Sequence, residues 1–115
     1  MINEQDFFDI LSDEIRRRLL CLLLKEGELC VCELHYTLDM AQPKISRHLA
    51  AMREVELLAV RRDGTRIFYR LDTRIPLWAY RMLEALLEAG NHSAIIKQDL
   101  QRLSGMPSRP ERMAV

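Results

Sequence analysis

The spacing of apolar residues along the chain predicts helices on both sides of a single hairpin. At 14–25, Ile15, Leu19 and Leu22 recur at helical intervals, and Gly27 follows at a position typical of a helix end. The same kind of spacing, together with helix-start and helix-stop residues, indicates the other helical segments. Helices are predicted at 4–11, 14–25, 29–38, 44–58, 77–90 and 93–103.

Two strands are predicted after the fourth helix. Residues 58–63 and 65–71 flank Asp63-Gly64, a dipeptide that strongly favours a hairpin. This order of helices and hairpin predicts an α+β, mostly α fold: a winged helix-turn-helix with a two-stranded β-hairpin wing and a C-terminal dimerisation helix. Residues 1–103 would form this one domain, and residues 104–115 would form a flexible tail.

The charges are distributed unevenly although the chain has no net charge. Residues 1–40 carry four Lys/Arg against nine Asp/Glu, whereas residues 41–71 carry seven against three. A basic middle third can bind phosphates. No apolar run reaches the roughly 18–20 residues that a membrane span needs, and the N-terminus is unlike a secretory signal. We therefore expect a cytoplasmic protein with no membrane partner and with reduced cysteines.

The helix that begins near Pro43 has one apolar and one polar face. Ile45, Leu49 and Met52 would face the core, which leaves the polar face free to enter the major groove of DNA. Gln and Arg can contact base edges through two hydrogen bonds, whereas Lys44 and Ser46 suit phosphates. The predicted DNA-binding residues are Gln42, Lys44, Ser46, Arg47 and His48 on this helix and Arg62, Thr65, Arg66 and Tyr69 in the wing.

A homodimer is expected because a winged helix of this size reads few base pairs alone. The predicted partner is double-stranded operator DNA with an inverted repeat, which a two-fold dimer can match. The helix after Pro76 carries more apolar residues than one small monomer needs to bury. We expect the dimer surface to combine this helix with Phe7, Phe8 and Leu11 of the N-terminal helix.

Cys30 and Cys32 form a C-x-C pair in ELCVCEL, and paired thiols favour a soft metal or metalloid ion. On an ideal helix their side chains would point about 200° apart, so binding both to one ion should distort the first turn of the 29–38 helix. That distortion would misalign the following DNA-reading helix. His35, water or a cellular thiol could supply a third ligand. Cys21, in an apolar run, is expected to be a core residue.

Two motifs in this order resemble the ArsR family of metalloregulatory repressors, and within it the arsenical-sensing branch. ELCVCEL at 28–34 is similar to the sensor motif of that branch, and QPKISRHLAAMRE at 42–54 is similar to its recognition helix. The wing at 61–71 and IPLWA at 75–79 extend the resemblance. It implies a homodimeric repressor of an arsenic-resistance operon, with no permanently bound cofactor. Arsenite or antimonite, as the inducer, would bind Cys30 and Cys32 and release the DNA.

The same residues leave other functions open. A repressor could sense cadmium, lead or another thiophilic cation through Cys30, Cys32 and His35. A thiol-redox sensor could use a disulfide between the two cysteines, although such a bridge would be strained on a helix. An enzyme is not expected, because the sequence contains no glycine-rich phosphate-binding loop.

Overall fold

The computed structural model describes residues 1–110 and has the predicted winged helix-turn-helix architecture. Three inner helices contact a small antiparallel sheet, and the helices nearer the two ends of the described residues pack against those inner helices. No helix among the described residues is long and apolar enough to cross a bilayer. In chain order the elements are α1 (Glu4–Leu11), α2 (Glu14–Glu26), β1 (Glu28–Cys30), α3 (Val31–Leu38), α4 (Gln42–Glu54), β2 (Leu58–Asp63), β3 (Arg66–Leu71), α5 (Leu77–Gly90) and α6 (Ala94–Ser104).

The sheet has three strands, one more than the two-stranded wing that the sequence predicted. Strand β3 lies in the middle and pairs antiparallel with both β1 and β2. The predicted helix at 29–38 is therefore wrong for its first two residues, because Leu29 and Cys30 pair opposite Tyr69 and Phe68. This pairing joins positions about 40 residues apart, which local helical spacing does not reveal.

Helix α2 forms the centre of the core. Five consecutive residues at 19–23 are buried, so this helix packs on nearly all sides rather than along one stripe. Asp13 caps its start by accepting a hydrogen bond from the Arg16 backbone, and Gly27 ends it with a φ of 88°. The predicted inward stripe of α4 is confirmed, since Ile45, Leu49 and Met52 are fully buried.

Helix α4 begins as expected but ends earlier than predicted. Its N-cap, Ala41, makes no side-chain hydrogen bond, and Pro43 occupies the first turn. The helix stops at Glu54 because Glu56 takes a left-handed conformation with a φ of 64°. The backbone N–H of Leu57 then donates to the carbonyl of Met52 at 2.9 Å and closes the turn into β2.

The segment after α6 is packed against the domain as far as it is described. Pro110 is buried, and Arg109 donates to the carboxylates of Glu33 and Glu26. Within the predicted flexible tail, Ser104 is the last residue of α6 and ion pairs hold Arg109, while the flexibility of this segment stays a prediction. The rest of that predicted tail, residues 111–115, lies outside the described residues.

Asp72 links the end of the wing to the turn after α4. Its backbone N–H donates to the carbonyl of Leu57 at 2.9 Å, and its carboxylate accepts from the backbone N–H and the Nε of Arg74 at 2.8 and 3.0 Å. The hydrogen bond from the Arg74 side chain lowers the pKa of Asp72 from 3.8 to about 2. The ionised carboxylate therefore stabilises the folded state.

We expect Asp72→Asn to lower the free energy of unfolding by about 1 kcal/mol at neutral pH, a small value because solvent screens the exposed Arg74. Since the folded-state pKa lies below the unfolded-state value, this contribution is present above about pH 4 and is lost as the pH falls toward 2. Urea unfolding at pH 7 and pH 3 measures it. If the free energies of unfolding of variant and wild type differed by the same amount at both pH values, this account would be contradicted.

Candidate functional site

The two sulfurs of the C-x-C pair lie side by side at the start of α3. Cys30 is the last residue of β1 and the N-cap of α3, with extended backbone angles (φ −73°, ψ 150°). The Sγ atoms of Cys30 and Cys32 are 2.6 Å apart, and the Cys32 backbone N–H donates to the Cys30 Sγ at 3.4 Å. The expectation that the sulfurs point apart is wrong, because Cys30 lies outside the helix. The two sulfurs adjoin with the first turn of α3 intact.

Glu33 completes the N-terminal cap of α3. Its Oε1 accepts a hydrogen bond from the Cys30 backbone N–H at 2.8 Å, which makes a reciprocal capping box with Cys30. Its side chain is fully buried, and its Oε2 accepts from the Nε of Arg109 at 2.7 Å. Sequence reasoning missed this role, although a Glu three residues after a helix N-cap is a recognisable capping signal.

Burial and close contact keep the Cys32 thiol protonated. Burial is the largest cause that raises the pKa of Cys32, to about 12, and the hydrogen bond with Cys30 and the negative charge of Glu33 add to it. Burial also raises the pKa of Cys21, to about 11. Cys21 is only 2% exposed and lies in α2, which agrees with its expected role as a core residue.

His35 shares a cleft with the cysteines but does not complete a three-ligand group. The cleft has a volume of about 390 Å³ and is lined by Cys30, Cys32 and His35 together with residues of α4 and the wing. Within residues 1–110, no group of three His, Cys, Asp or Glu side chains is arranged to hold a metal ion. The structure therefore assembles the two sulfurs and leaves His35 on the wall of the same cleft.

Helix α4 and the wing form the other walls of this cleft. Gln42 and Ser46 of α4 and Thr65 and Arg66 at the hairpin turn line it. A group bound at the sulfurs would therefore lie next to side chains predicted to contact DNA. Sequence spacing alone did not indicate this proximity.

Most of the predicted DNA-binding side chains are accessible, with one clear exception. Ser46 and His48 are half-buried, and burial lowers the pKa of His48, which favours the neutral imidazole at neutral pH. Tyr69 is only 7% exposed: it packs in the core and also lines the cleft beside Thr65 and Arg66, and its contact with DNA stays a prediction. It faces inward because it pairs opposite Leu29 in the buried strand β1. The exposed members of the set are Gln42, Lys44, Arg47, Arg62, Thr65 and Arg66.

An ion pair fixes the wing to the cysteine strand. Arg61 of β2 donates to both carboxylate oxygens of Glu28 in β1, at 2.6 and 3.1 Å, and its guanidinium lies 4.6 Å from the centre of the Phe68 ring. The side chain thus reaches across the central strand β3 to the outer strand. Sequence reasoning counted Arg61 only as part of the basic region, because β1 was not expected.

An apolar surface remains exposed along α5 and the adjacent end of α1. Phe8 is 49% and Leu77 61% exposed. Phe7, which was assigned to the dimer surface, is instead fully buried, because its ring packs edge-on against Trp78 with 5.3 Å between ring centres. Leu11 is half-buried. The apolar surface comprises Phe8, Leu77, Trp78, Tyr80 and Met82.

A helix-turn-helix followed by a hairpin wing, with an accessible polar face on its second helix, defines a winged-helix DNA-binding regulator. Residues 13–60 match the family described as "Bacterial regulatory protein, arsR family", and the chain belongs to the ArsR family. The family confirms that the chain is a transcriptional regulator and not an enzyme.

Known proteins resemble the chain in both sequence and structure. It is 44% identical over 115 residues to "Arsenic resistance transcriptional regulator ArsR2" of Pseudomonas putida, covering 100% of this chain and 98% of that protein. HlyU from Vibrio cholerae has a TM-score of 0.65 at 31% identity, covering 73% and 87% of the two chains. The AntR antimony-specific transcriptional repressor has a TM-score of 0.61 at 30% identity, covering 76% and 78%.

The Cys30 sulfur acts as a helix cap, which can be tested separately from any ligand. We expect Cys30→Ser to leave the thermal stability unchanged or slightly higher, since serine is a preferred N-cap, and Cys30→Ala to cost about 1 kcal/mol. Thermal unfolding followed by circular dichroism compares the two variants. A Cys30→Ala variant as stable as the wild type would show that the sulfur does not cap α3.

Proposed function

We propose that this chain is a homodimeric repressor of an arsenic-resistance operon, released from its operator when trivalent arsenic or antimony binds Cys30 and Cys32. The observation that carries the proposal is the contact between the two sulfurs, within a cleft that the DNA-reading helix and the wing also line. The names of the relatives, an arsenic resistance regulator and an antimony-specific repressor, support this choice of ligand.

The chemistry of the pair suits a trivalent metalloid hydroxide. Arsenous acid is neutral at pH 7, and each As–S bond forms as a thiol replaces a hydroxide, whose oxygen leaves as water with the thiol proton. Two such exchanges at Cys30 and Cys32 release two waters and leave one hydroxide on arsenic. The protonated state of Cys32 is compatible with this reaction because the thiol proton is consumed in forming water.

His35 is our candidate for the remaining ligand position. It lies on α3 one turn beyond Cys32 and lines the same cleft. If its side chain rotated toward the sulfurs, an imidazole nitrogen would bind the ion as the last hydroxide left as water, which takes the proton of the ring N–H. Water or a cellular thiol is the alternative occupant of that position.

For DNA, we propose that α4 enters the major groove and the wing contacts the flanking backbone. Gln42 and Arg47 are exposed and have the donors and acceptors that read base edges, whereas Lys44 and Ser46 would bind phosphates. His48 would contribute as a neutral hydrogen-bonding group. Arg62, Thr65 and Arg66 extend the contact from the wing.

Coupling between the two sites would pass through β1 and α3. The sulfurs lie where these elements meet, and β1 pairs with wing strand β3 while α3 packs against α4. An ion that pulls the two sulfurs into its own bond geometry would shift both the wing and the helix pair. Coupling energies of this kind change affinity by about 5- to 150-fold.

We expect arsenite to weaken wild-type binding to DNA by a factor in that range of about 5 to 150. Cys30→Ser and Cys32→Ser should bind DNA but fail to respond, because each retains the fold and lacks one sulfur. Fluorescence anisotropy with a short operator-like inverted repeat, titrated with arsenite and with cadmium, measures the response. Cys21→Ala is the matched control and should respond like wild type, since Cys21 lies in the core.

The outcomes of this experiment separate the candidate functions. If cadmium released the DNA and arsenite did not, the inducer would be a thiophilic cation and not a metalloid. A response that persists in both serine variants would remove the cysteine pair from the site. Failure of the wild type to bind any inverted repeat would overturn the proposed DNA surface.

The homodimer is proposed to form through the exposed apolar surface on α1 and α5. We expect Leu77→Asp to convert a dimer to a monomer and to abolish tight DNA binding, because one wing and reading helix contact only half of an inverted repeat. Sedimentation velocity at micromolar protein concentration measures whether the protein is a dimer or a monomer. Ile95→Asp on α6, also at an exposed apolar position, should remain dimeric. A dimeric Leu77→Asp variant would contradict this interface.

A thiol-redox sensor is a second candidate because the structure removes the main objection to it. Cys30 lies outside the helix and its sulfur adjoins that of Cys32, so a bridge need not distort α3. A peroxide could oxidise the pair, which would lose two protons and two electrons to form the S–S bond while the peroxide becomes two waters. Release of DNA by peroxide and its reversal by a dithiol would favour this function over metalloid sensing.

A further inference from the structure

The C-terminal segment, which comprises α6 and the residues after it up to 110, contacts both ends of α3, the helix that begins at the cysteine pair. At the C-terminal end of α3, Arg102 donates to the carbonyls of Tyr36 and Thr37 at 2.9 and 3.1 Å, and its guanidinium lies 4.9 Å from the centre of the Tyr36 ring. At the N-terminal end, Arg109 donates to Glu33 at 2.7 Å. Helix α3 is therefore held between two arginines from the same segment.

This segment is itself anchored to the core. Asp99 of α6 is 1% exposed and accepts two hydrogen bonds from the guanidinium of Arg18 in α2, at 2.9 and 2.8 Å. Such a two-point contact fixes orientation as well as distance. Arg102 and Arg109 thus extend from a position that α2 determines, rather than from a loose chain end.

Glu33 connects Arg109 to the sulfur pair. One carboxylate oxygen accepts from the Cys30 backbone N–H and the other accepts from Arg109, and the Glu33 side chain is fully buried. A buried carboxylate that loses a cationic partner carries a desolvation cost. Removing Arg109 would take away one of the groups that hold the Glu33 side chain, and would weaken the hydrogen bond that its carboxylate accepts from the Cys30 N–H.

We propose that Arg109 is a positioning residue for the cysteine pair, holding Glu33 in the cap of α3 and thereby fixing the Cys30 backbone from which one ligand sulfur projects. This inference rests on the proposed role of the cysteines as ligands. Arg109 itself touches neither sulfur. It holds Glu33, and Glu33 in turn orients the ligand residue Cys30. The loss of such supporting partners commonly weakens metal binding by about 10- to 100-fold.

The first test measures arsenite affinity by calorimetry. Arg109→Gln should weaken arsenite binding by about tenfold or more. Glu26→Gln is the matched control, because Glu26 is the second, more exposed carboxylate paired with Arg109 at 3.3 Å, and its loss should change affinity by no more than about twofold. In a Glu33→Gln background, Arg109→Gln should have no further effect. An unchanged affinity in Arg109→Gln, or an equal loss in both backgrounds, would overturn the inference.

A second test does not depend on arsenite. Amide hydrogen exchange at Cys30, followed by NMR, should be about tenfold faster in Arg109→Gln, while exchange in the buried part of α2 stays unchanged. If wild type binds no arsenite, the proposed ligand role fails, and this measurement alone decides the role of Arg109. Unchanged exchange at Cys30, or equally faster exchange throughout α2, would overturn it.

Discussion

The arrangement of the whole site depends on the hydrogen bonds at Cys30. This residue ends β1, where it lies opposite Phe68, and also begins α3 as its N-cap. Its backbone N–H is held by Glu33 and its sulfur accepts from the Cys32 N–H, so the change from strand to helix occurs at one well-defined residue. Because of that change, the sulfurs of two cysteines with one residue between them can adjoin, which an uninterrupted helix would not allow.

Seven of the described arginines form two groups with different physical roles. Arg18, Arg61, Arg102 and Arg109 form hydrogen bonds with carboxylates or carbonyls of distant elements and hold the fold together. Arg47, Arg62 and Arg66 are exposed on the reading helix and the wing. A chain with no net charge can therefore present a basic surface, since part of its acidic residues is used inside the structure to pair the first group.

Residue patterns were sufficient to predict an element wherever its structural preference is local. The apolar stripe of α4, the Asp63-Gly64 turn and the first two helices were predicted within a few residues, because each reflects spacing or turn chemistry along a short stretch. The strand β1 was missed because only three residues form it and its partner is remote. The deep burial of Phe7 and Tyr69 was missed for the same reason, since Trp78 covers one and β1 the other.

The sequence by itself determined that this protein is a winged-helix regulator of the ArsR family with a C-x-C thiol pair, because motif order and helical periodicity are properties of short segments. Tertiary structure alone decided that the two sulfurs adjoin, that Arg109 holds Glu33, and that the cleft is shared with the wing. These features depend on contacts between residues far apart in the chain. Their geometry is set by how burial and ion pairing are satisfied together, which no local pattern encodes.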